Sequence, residues 1–497
     1  MKKLLTILLI LILASAACAE GVPDNWYEVF VRSYQDSDGD GLGDLNGLRS
    51  RLDYIEDMGW RGLWLMPIMP SPSYHKYDVT DYRAVDGQYG TLEDLRALLD
   101  DAHARGISVI LDMPVNHTST LHPWFVEAAE ALANGDGDGP YIDYYNFYQS
   151  GGSGFAPLGD TGWFYEEAFD GGGMPDLNLD NPAVREELRG IFDFWLNDVG
   201  CDGFRLDAVT SYYTGEADRN IEFLAWVKAT CEALKPGCYL VGECWANLNT
   251  IADYYQSGVD SFFLFPAAQA EGFIAASLRG RSKRAEKFAG KYVQALDAIP
   301  EGRLAPFLCN HDTGRTVGLV QGRSNPAVAK FAEGVLGMLG GSVFTYYGEE
   351  IGMVGSGDDP NKRLAMYWSE DDMTDQPPGT TAIEYAYPSV EDQLSDPDSL
   401  LHYVRAVNHA RLDHPEIASG KNTFEYVEGD LCLMRRETAD AACLIAMNFS
   451  PTEAGEIPLD GDWTIAADLE TGEEAARLDG GALTVPPYGI VVLKIRS

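Results

Sequence analysis

The chain has 497 residues, 45% hydrophobic and 11% aromatic, enough for a large core with one or two accessory units. Its formal net charge of −41 argues against nucleic acid and anionic membrane as partners, because phosphates would be repelled, and it disfavours acidic polysaccharides. Uncharged ligands such as neutral sugars are compatible with that surface.

The N-terminus reads as an export signal over residues 1–19. Lys2 and Lys3 form the basic region, Leu4 to Leu13 the apolar stretch and Ala14 to Ala19 the small-residue cleavage zone. The apolar run is too short to span a bilayer, so no transmembrane segment is expected. Cleavage after Ala19 with release from the cell is the preferred reading. A lipid anchor at Cys18 is the alternative, with Ser15 standing where a lipobox usually has Leu. Of the eight cysteines, Cys231 and Cys238 flank a short loop and Cys432 and Cys443 face one another across an expected hairpin, so either pair could bond. Cys201, Cys244 and Cys309 fall in expected core segments.

From about residue 26 to 410, eight short apolar runs alternate with amphipathic helical patterns. The runs are Tyr27–Ser33, Gly62–Ile68, Ile107–Val115, Gly203–Val209, Tyr239–Trp245, Ser261–Phe265, Arg303–Asn310 and Ser342–Tyr347. Continuous apolar runs of this length are what buried parallel strands look like. Thr91 is placed to cap a helix carrying Leu95, Leu98, Leu99 and Ala102, which Gly106 ends. Asn181-Pro182 opens another, with Val184, Leu188, Ile191, Phe192 and Trp195 at helical spacing. Eight strand–helix units predict an α/β fold, a (β/α)8 barrel built from residues 20–117 and 176–415, with its active site at the strand C-termini. Residues 118–175 interrupt the alternation with Gly-rich turns and many aromatics, an insertion that would stand on the active-site face. After His414-Pro415 the pattern becomes that of antiparallel strands, so residues 416–497 are expected to form a C-terminal β-sandwich domain.

Three carboxylates close expected barrel strands: Asp207 in Gly203-Phe-Arg-Leu-Asp207, Glu243 in Val241-Gly-Glu-Cys-Trp245, and Asp312 in Asn310-His-Asp312. Acids at the ends of buried strands are costly unless paired or functional. Three on separate strands, with Arg205, His117 and His311 nearby, are hard to explain as packing. Paired carboxyl groups converging at a barrel mouth suit glycoside hydrolysis, where one acts as nucleophile and the other as acid and then base.

These segments, with Asp112-Met-Pro-Val-Asn-His117 and Met174-Pro-Asp-Leu-Asn178, resemble the motifs of the α-amylase family of glycoside hydrolases, over essentially all of residues 26–497. The last motif is similar to that of members intermediate between oligo-1,6-glucosidases and neopullulanases. The resemblance implies Asp207 as nucleophile, Glu243 as general acid/base and Asp312 as the third carboxylate, acting on an α-glucan or maltooligosaccharide. It also implies substrate binding by Tyr77 and Asp78 in Tyr77-Asp78-Val-Thr-Asp81-Tyr82, by His117, Arg205 and His311, and by Asp359 and Arg363 after the eighth strand. The leading activity is hydrolysis of α-1,4-glucosidic bonds. Oligo-1,6-glucosidase, neopullulanase-like and glucanotransferase activities are alternatives, and a non-catalytic sugar-binding protein would have lost carboxylates that this chain keeps. Thr210 and Ser211 replace a Lys-His pair of many α-amylases, so contacts on the leaving-group side differ. Ala208, beside the nucleophile, goes in the resembling branch with α-1,4 rather than α-1,6 cleavage.

Asp36-Ser-Asp38-Gly-Asp40-Gly-Leu42-Gly-Asp44 sets oxygen ligands at alternate positions around glycine turns, as a calcium loop does. It is similar to the first-strand calcium loop of the oligo-1,6-glucosidase branch. That similarity implies Ca2+ held by the side chains of Asp36, Asp38, Asp40 and Asp44 and the Leu42 carbonyl. Asn116 matches one ligand of a second, classical site whose other ligands the sequence does not place.

Overall fold

The computed structural model describes residues 22–495 except 170, 301 and 473. The export signal, Cys18 included, lies outside the described residues.

Eight parallel strands form the barrel: β1 (Asn25–Val29), β2 (Gly62–Leu65), β3 (Ser108–Met113), β4 (Gly203–Leu206), β5 (Tyr239–Gly242), β6 (Ser261–Phe263), β7 (Leu304–Ala305) and β8 (Val343–Tyr346). Neighbours in sequence are neighbours in space, and β8 pairs with β1. The seam between β7 and β8 is closed by a Phe307–Phe344 bridge and by the Ser342 and Phe344 N–H groups donating to Leu304 and Pro306. Each strand is shorter than its apolar run because the last residues of the run leave the ladder and line the mouth. The first run is also displaced: Val31–Ser33 is a 3-10 turn, not strand.

The helices start where their caps predict. Thr91 Oγ1 accepts from the Asp94 N–H while the Asp94 carboxylate accepts from Thr91, a reciprocal cap worth about 1 kcal/mol. Leu95, Leu98, Leu99 and Ala102 then form the buried stripe. Asn181 caps Pro182–Asp193 through the Ala183 N–H, and the helix runs on into a π-helical turn that buries Trp195. Gly242 has a packing reason. A Cβ there would lie 2.5 Å from the Phe262 ring, so glycine lets β5 approach β6 one residue before Glu243.

Between β3 and β4, Phe147–Tyr148, Phe155–Pro157 and Phe164–Glu166 form a small antiparallel sheet. Beyond the barrel, a five-stranded antiparallel sheet begins at Lys421–Glu428 and faces a three-stranded one. Alternation along Leu431–Glu437 shows how they pack: Cys432 and Met434 join the main core, whereas Leu433 joins a second core with Leu444, Ile457 and Leu483 between the two sheets. Neither of the two possible cysteine pairs is bonded. Register sets Cys432 opposite Met447 and Cys443 opposite Arg436, so the two thiols are not partners. Cys231 and Cys238 hydrogen-bond but remain thiols, and all seven described cysteines are free and buried. Among the described residues no helix is long and apolar enough to cross a membrane.

Candidate active site

Strand register decides what meets at the mouth. Across β4 and β5, Arg205 lies beside Val241 and Leu206 beside Gly242, so the next residues, Asp207 and Glu243, emerge as neighbours. Across β3 and β4, Asp112 lies beside Arg205. The Arg205 guanidinium is fully buried and holds three carboxylates. Nη1 donates to Asp112 Oδ1 at 2.8 Å and to Asp207 Oδ1 at 2.6 Å, and Nη2 stands 3.2 Å from Glu243 Oε2. Its plane lies over the Trp64 ring, 5.2 Å from the centroid. Buried charges persist only when paired in this way. Glu243 Oε2 also accepts from the Ala208 N–H at 2.9 Å, and Ala208 adopts a left-handed φ of 45°.

A second group forms around Asp312. His311 lies between Glu28, 2.6 Å from Nδ1, and Asp312, 3.0 Å from Nε2. Arg363 Nη2 reaches Asp312 at 2.8 Å and Asp359 at 2.9 Å. Tyr77 joins the two groups: its hydroxyl donates to Asp112 Oδ2 at 2.9 Å and is 2.7 Å from His311 Nε2, and its ring stacks on the imidazole.

These surroundings separate the acids. Burial raises the Glu243 carboxyl, Arg205 opposes that, Asp207 and Asp312 add to it, and the pKa is pushed up to about 7. Burial likewise lifts Asp112, against Arg205, to about 6. For His311 burial disfavours the charge, but Asp312 and Glu28 prevail and raise it to about 10. Burial would also lift Asp312, yet His311 and Arg363 hold it far below the usual carboxylate range.

Asp207, Glu243, Asp312, Arg205, His311, Tyr77, Arg363 and Asp359, expected from the sequence, are therefore one connected network. His117 stands at its edge, buried, with Nε2 3.3 Å from the Tyr77 carbonyl; burial lowers its pKa, and Nδ1 has no partner among the described residues. Asp78 behaves differently. Its Oδ1 accepts from Ser71 and Ser73, which ties it into its own loop. Glu28 and Asp112 were not expected as site residues. An acid inside the first apolar run was the available signal for Glu28, and Asp112 heads the third-strand motif.

Carboxylate oxygens of Asp36, Asp38 and Asp40 lie within 4.8 Å of one another, so these three fit a hard cation. Asp44 lies outside that trio; its oxygens accept from the Ser37 N–H and hydroxyl and from the Gly47 N–H, where it caps the helix Leu45–Ser50. Asn116 donates to Asp176 at 2.8 Å, and burial raises Asp176 to about 8.

A buried arginine gripping two catalytic-type carboxyls at a barrel mouth, one of them with its pKa near neutrality, defines a (β/α)8 enzyme of the glycoside-cleaving kind. The chain belongs to the α-amylase family of glycoside hydrolases: the family model for the alpha amylase catalytic domain matches residues 28–420. Alpha-amylase 3 of Dictyoglomus thermophilum is 35% identical to it, over 95% of this chain and 93% of that protein. An oligo-1,6-glucosidase of Parageobacillus thermoglucosidasius is 28% identical, over 85% and 89%. Among solved structures, Eubacterium rectale Amy13B superposes with a TM-score of 0.90 at 39% identity, covering 96% of this chain and 98% of that one. Names among other relatives include trehalose synthase and 4-alpha-glucanotransferase.

Proposed function

We propose that the protein hydrolyses α-1,4-glucosidic bonds of starch-like glucans with retention of configuration. Asp207 is the nucleophile, and Glu243 is the acid of the first step and the base of the second. The observation that carries this is the shared guanidinium: Arg205 holds Asp207 and Glu243 side by side, while burial keeps a proton on Glu243 to about pH 7. Retaining enzymes use carboxyls ~5–5.5 Å apart, a spacing that two acids on a single guanidinium can meet.

In the first step Asp207 attacks the anomeric carbon. The glycosidic C–O bond breaks, and the departing oxygen takes the Glu243 proton. Glu243, now ionised, removes a proton from water, which attacks the anomeric carbon and releases Asp207. Arg205 donates to the Asp207 carboxylate and orients it for attack. Asp312, fixed by His311 and Arg363, presents an ionised carboxylate to sugar hydroxyls, and Tyr77 supplies a ring face beneath the same sugar. His117, held neutral by burial, is a hydrogen-bond partner for that sugar.

The α-1,4 preference rests on Ala208, whose methyl leaves the leaving-group side open next to Asp207. Measuring kcat/KM on maltotriose and isomaltotriose tests it; preference for isomaltotriose replaces this reading with an oligo-1,6-glucosidase. Calcium at Asp36, Asp38 and Asp40 belongs to the same proposal, as a structural ion that offsets the mutual repulsion of three adjacent carboxylates. Export directed by residues 1–19 puts the enzyme where polymeric glucans are met.

A further inference from the structure

The small sheet of the insertion between β3 and β4 turns an aromatic face to solvent. Its register sets Phe147 beside Tyr165 and Ala156, and in the next row Tyr148 beside Phe164 and Pro157. Successive residues of a strand point to opposite faces, so the two rows face opposite ways. The first row turns inward, with the Phe147 and Tyr165 ring centroids 5.9 and 5.0 Å from that of Phe125. The second row turns outward and shares its face with Phe155, two residues before Pro157.

Tyr148 is 41% exposed, and its ring meets that of Phe155 edge-on at 4.8 Å; Phe155 and Phe164 are half-buried. Among the described residues, these three rings join neither of the two hydrophobic cores. The turn 149–154 closes over Phe164 through glycine, since a Cβ on Gly151 would lie 2.6 Å from that ring, and it leaves the Tyr148 end to solvent. Glu166, the register partner of Phe155, brings a carboxylate acceptor to the same face, where the Asn146 amide donates to one of its oxygens at 2.7 Å.

Solvent-facing rings that serve no core mark an interaction surface, and the charge of the insertion selects its partner. Residues 118–175 hold nine Asp and Glu and no Lys or Arg. Nucleic acids, acidic polymers and a second copy of this chain, with its net charge of −41, would all be repelled. We propose that this face binds a stretch of neutral α-glucan outside the catalytic cleft, with one sugar lying on the Tyr148 ring. A pyranose offers a C–H face to an aromatic ring and hydroxyls to the acceptors around it. The choice of polymer rests on the glucan reading given above. The surface is also continuous with the active site: the insertion is fixed to its edge by the His117–Asp176 bridge and by the Leu177 N–H, which donates to the Asn116 carbonyl at 2.9 Å. A long chain held there stays at high local concentration for the cleft, a gain that a short oligosaccharide does not share.

The test reads binding without turnover, in the whole protein carrying Asp207→Asn, as retardation in native gels that contain amylopectin. Adding Tyr148→Ala should raise the apparent Kd for amylopectin about fivefold, the loss of one stacked ring. Tyr148→Phe, which keeps the ring, should retain the retardation. In the active enzyme, Tyr148→Ala should lower the ratio of kcat/KM on amylose to that on maltotriose by about fivefold. Retardation that depends on Tyr148 upholds the proposal even where maltotriose is not cleaved, an outcome that would count against the proposed hydrolysis alone. Equal retardation with and without the Tyr148 ring would overturn it, and so would equal losses of rate on amylose and maltotriose.

Discussion

Glu243 and Ala208 show how one residue's surroundings set its chemistry. Glu243 delivers a proton only while protonated, so glucan hydrolysis should fall as pH rises through about 7, the value to which burial lifts it. Glu243→Gln should lower kcat on maltotriose at least ~10³-fold, about 4 kcal/mol of barrier. It should largely spare kcat/KM on aryl glucosides whose leaving groups need no proton, since only the second step then lacks its base, and remove the alkaline limb of that pH profile. Equal losses on both substrate types would show that Glu243 is not the acid. Ala208 has its N–H on Glu243 and a φ of 45°, a region β-branched residues resist. Ala208→Val should therefore cost ~1–3 kcal/mol of stability, seen in denaturant unfolding, while Ala208→Gly costs little; the ratio of isomaltotriose to maltotriose cleavage should rise in Ala208→Val. The three carboxylates, with Arg205 among them, were legible in the sequence because an acid that ends a buried apolar run is costly unless a partner or a function holds it there, whereas Arg363 followed from the family resemblance alone. The positive φ of Ala208 was not, since nothing in its neighbours announces a left-handed alanine. Nor was the role of Glu28, which depends on the Nδ1 atom of a histidine 283 positions away.

At the scale of elements, register explains why widely separated motifs work together. The pairing Leu206–Gly242 makes Asp207 and Glu243 adjacent, and a slip of one residue would turn one of them away from the mouth. The eight strands could be read from continuous apolar runs, but their ends could not, because the run continues past the last ladder bond into the loops that carry the site. The loop Asp36–Asp44 divides in a way the spacing did not reveal: three carboxylates converge, while Asp44 caps a helix. Calcium should raise the melting temperature and a chelator should lower it, and Asp38→Ala with Asp40→Ala should erase the response. Asp44→Ala should instead lose about 1 kcal/mol with or without calcium, as loss of a cap does. A double variant that still responds fully would move the ion elsewhere.

For the molecule as a whole, the active-site network sits above a core that also stores buried acids. Glu350, under β1, is lifted by burial to about 7, against hydrogen bonds from Tyr27 and Tyr54. An acid raised in the folded state contributes stability that is complete below its unfolded pKa of ~4.3 and is lost as pH rises through about 7. Glu350→Gln should therefore flatten the fall in melting temperature between about pH 5 and about pH 8, and an unchanged slope would assign that fall to other groups. The C-terminal sheet was recognisable from its alternating strands, but the burial of both its faces was not, because Cys432 and Met434 serve one core and Leu433 the other. In the proposed mechanism, barrel, network and core together let two acids on one arginine perform a double displacement. The direct measurement is to trap the intermediate: incubate the Glu243→Gln variant with an activated fluorinated glucosyl donor, digest it and locate the added sugar by mass spectrometry. A double displacement leaves a single glucosyl ester on Asp207, and proton NMR of the wild-type reaction shows an α-configured first product. A sugar on any other residue, or a β-configured first product, would contradict it.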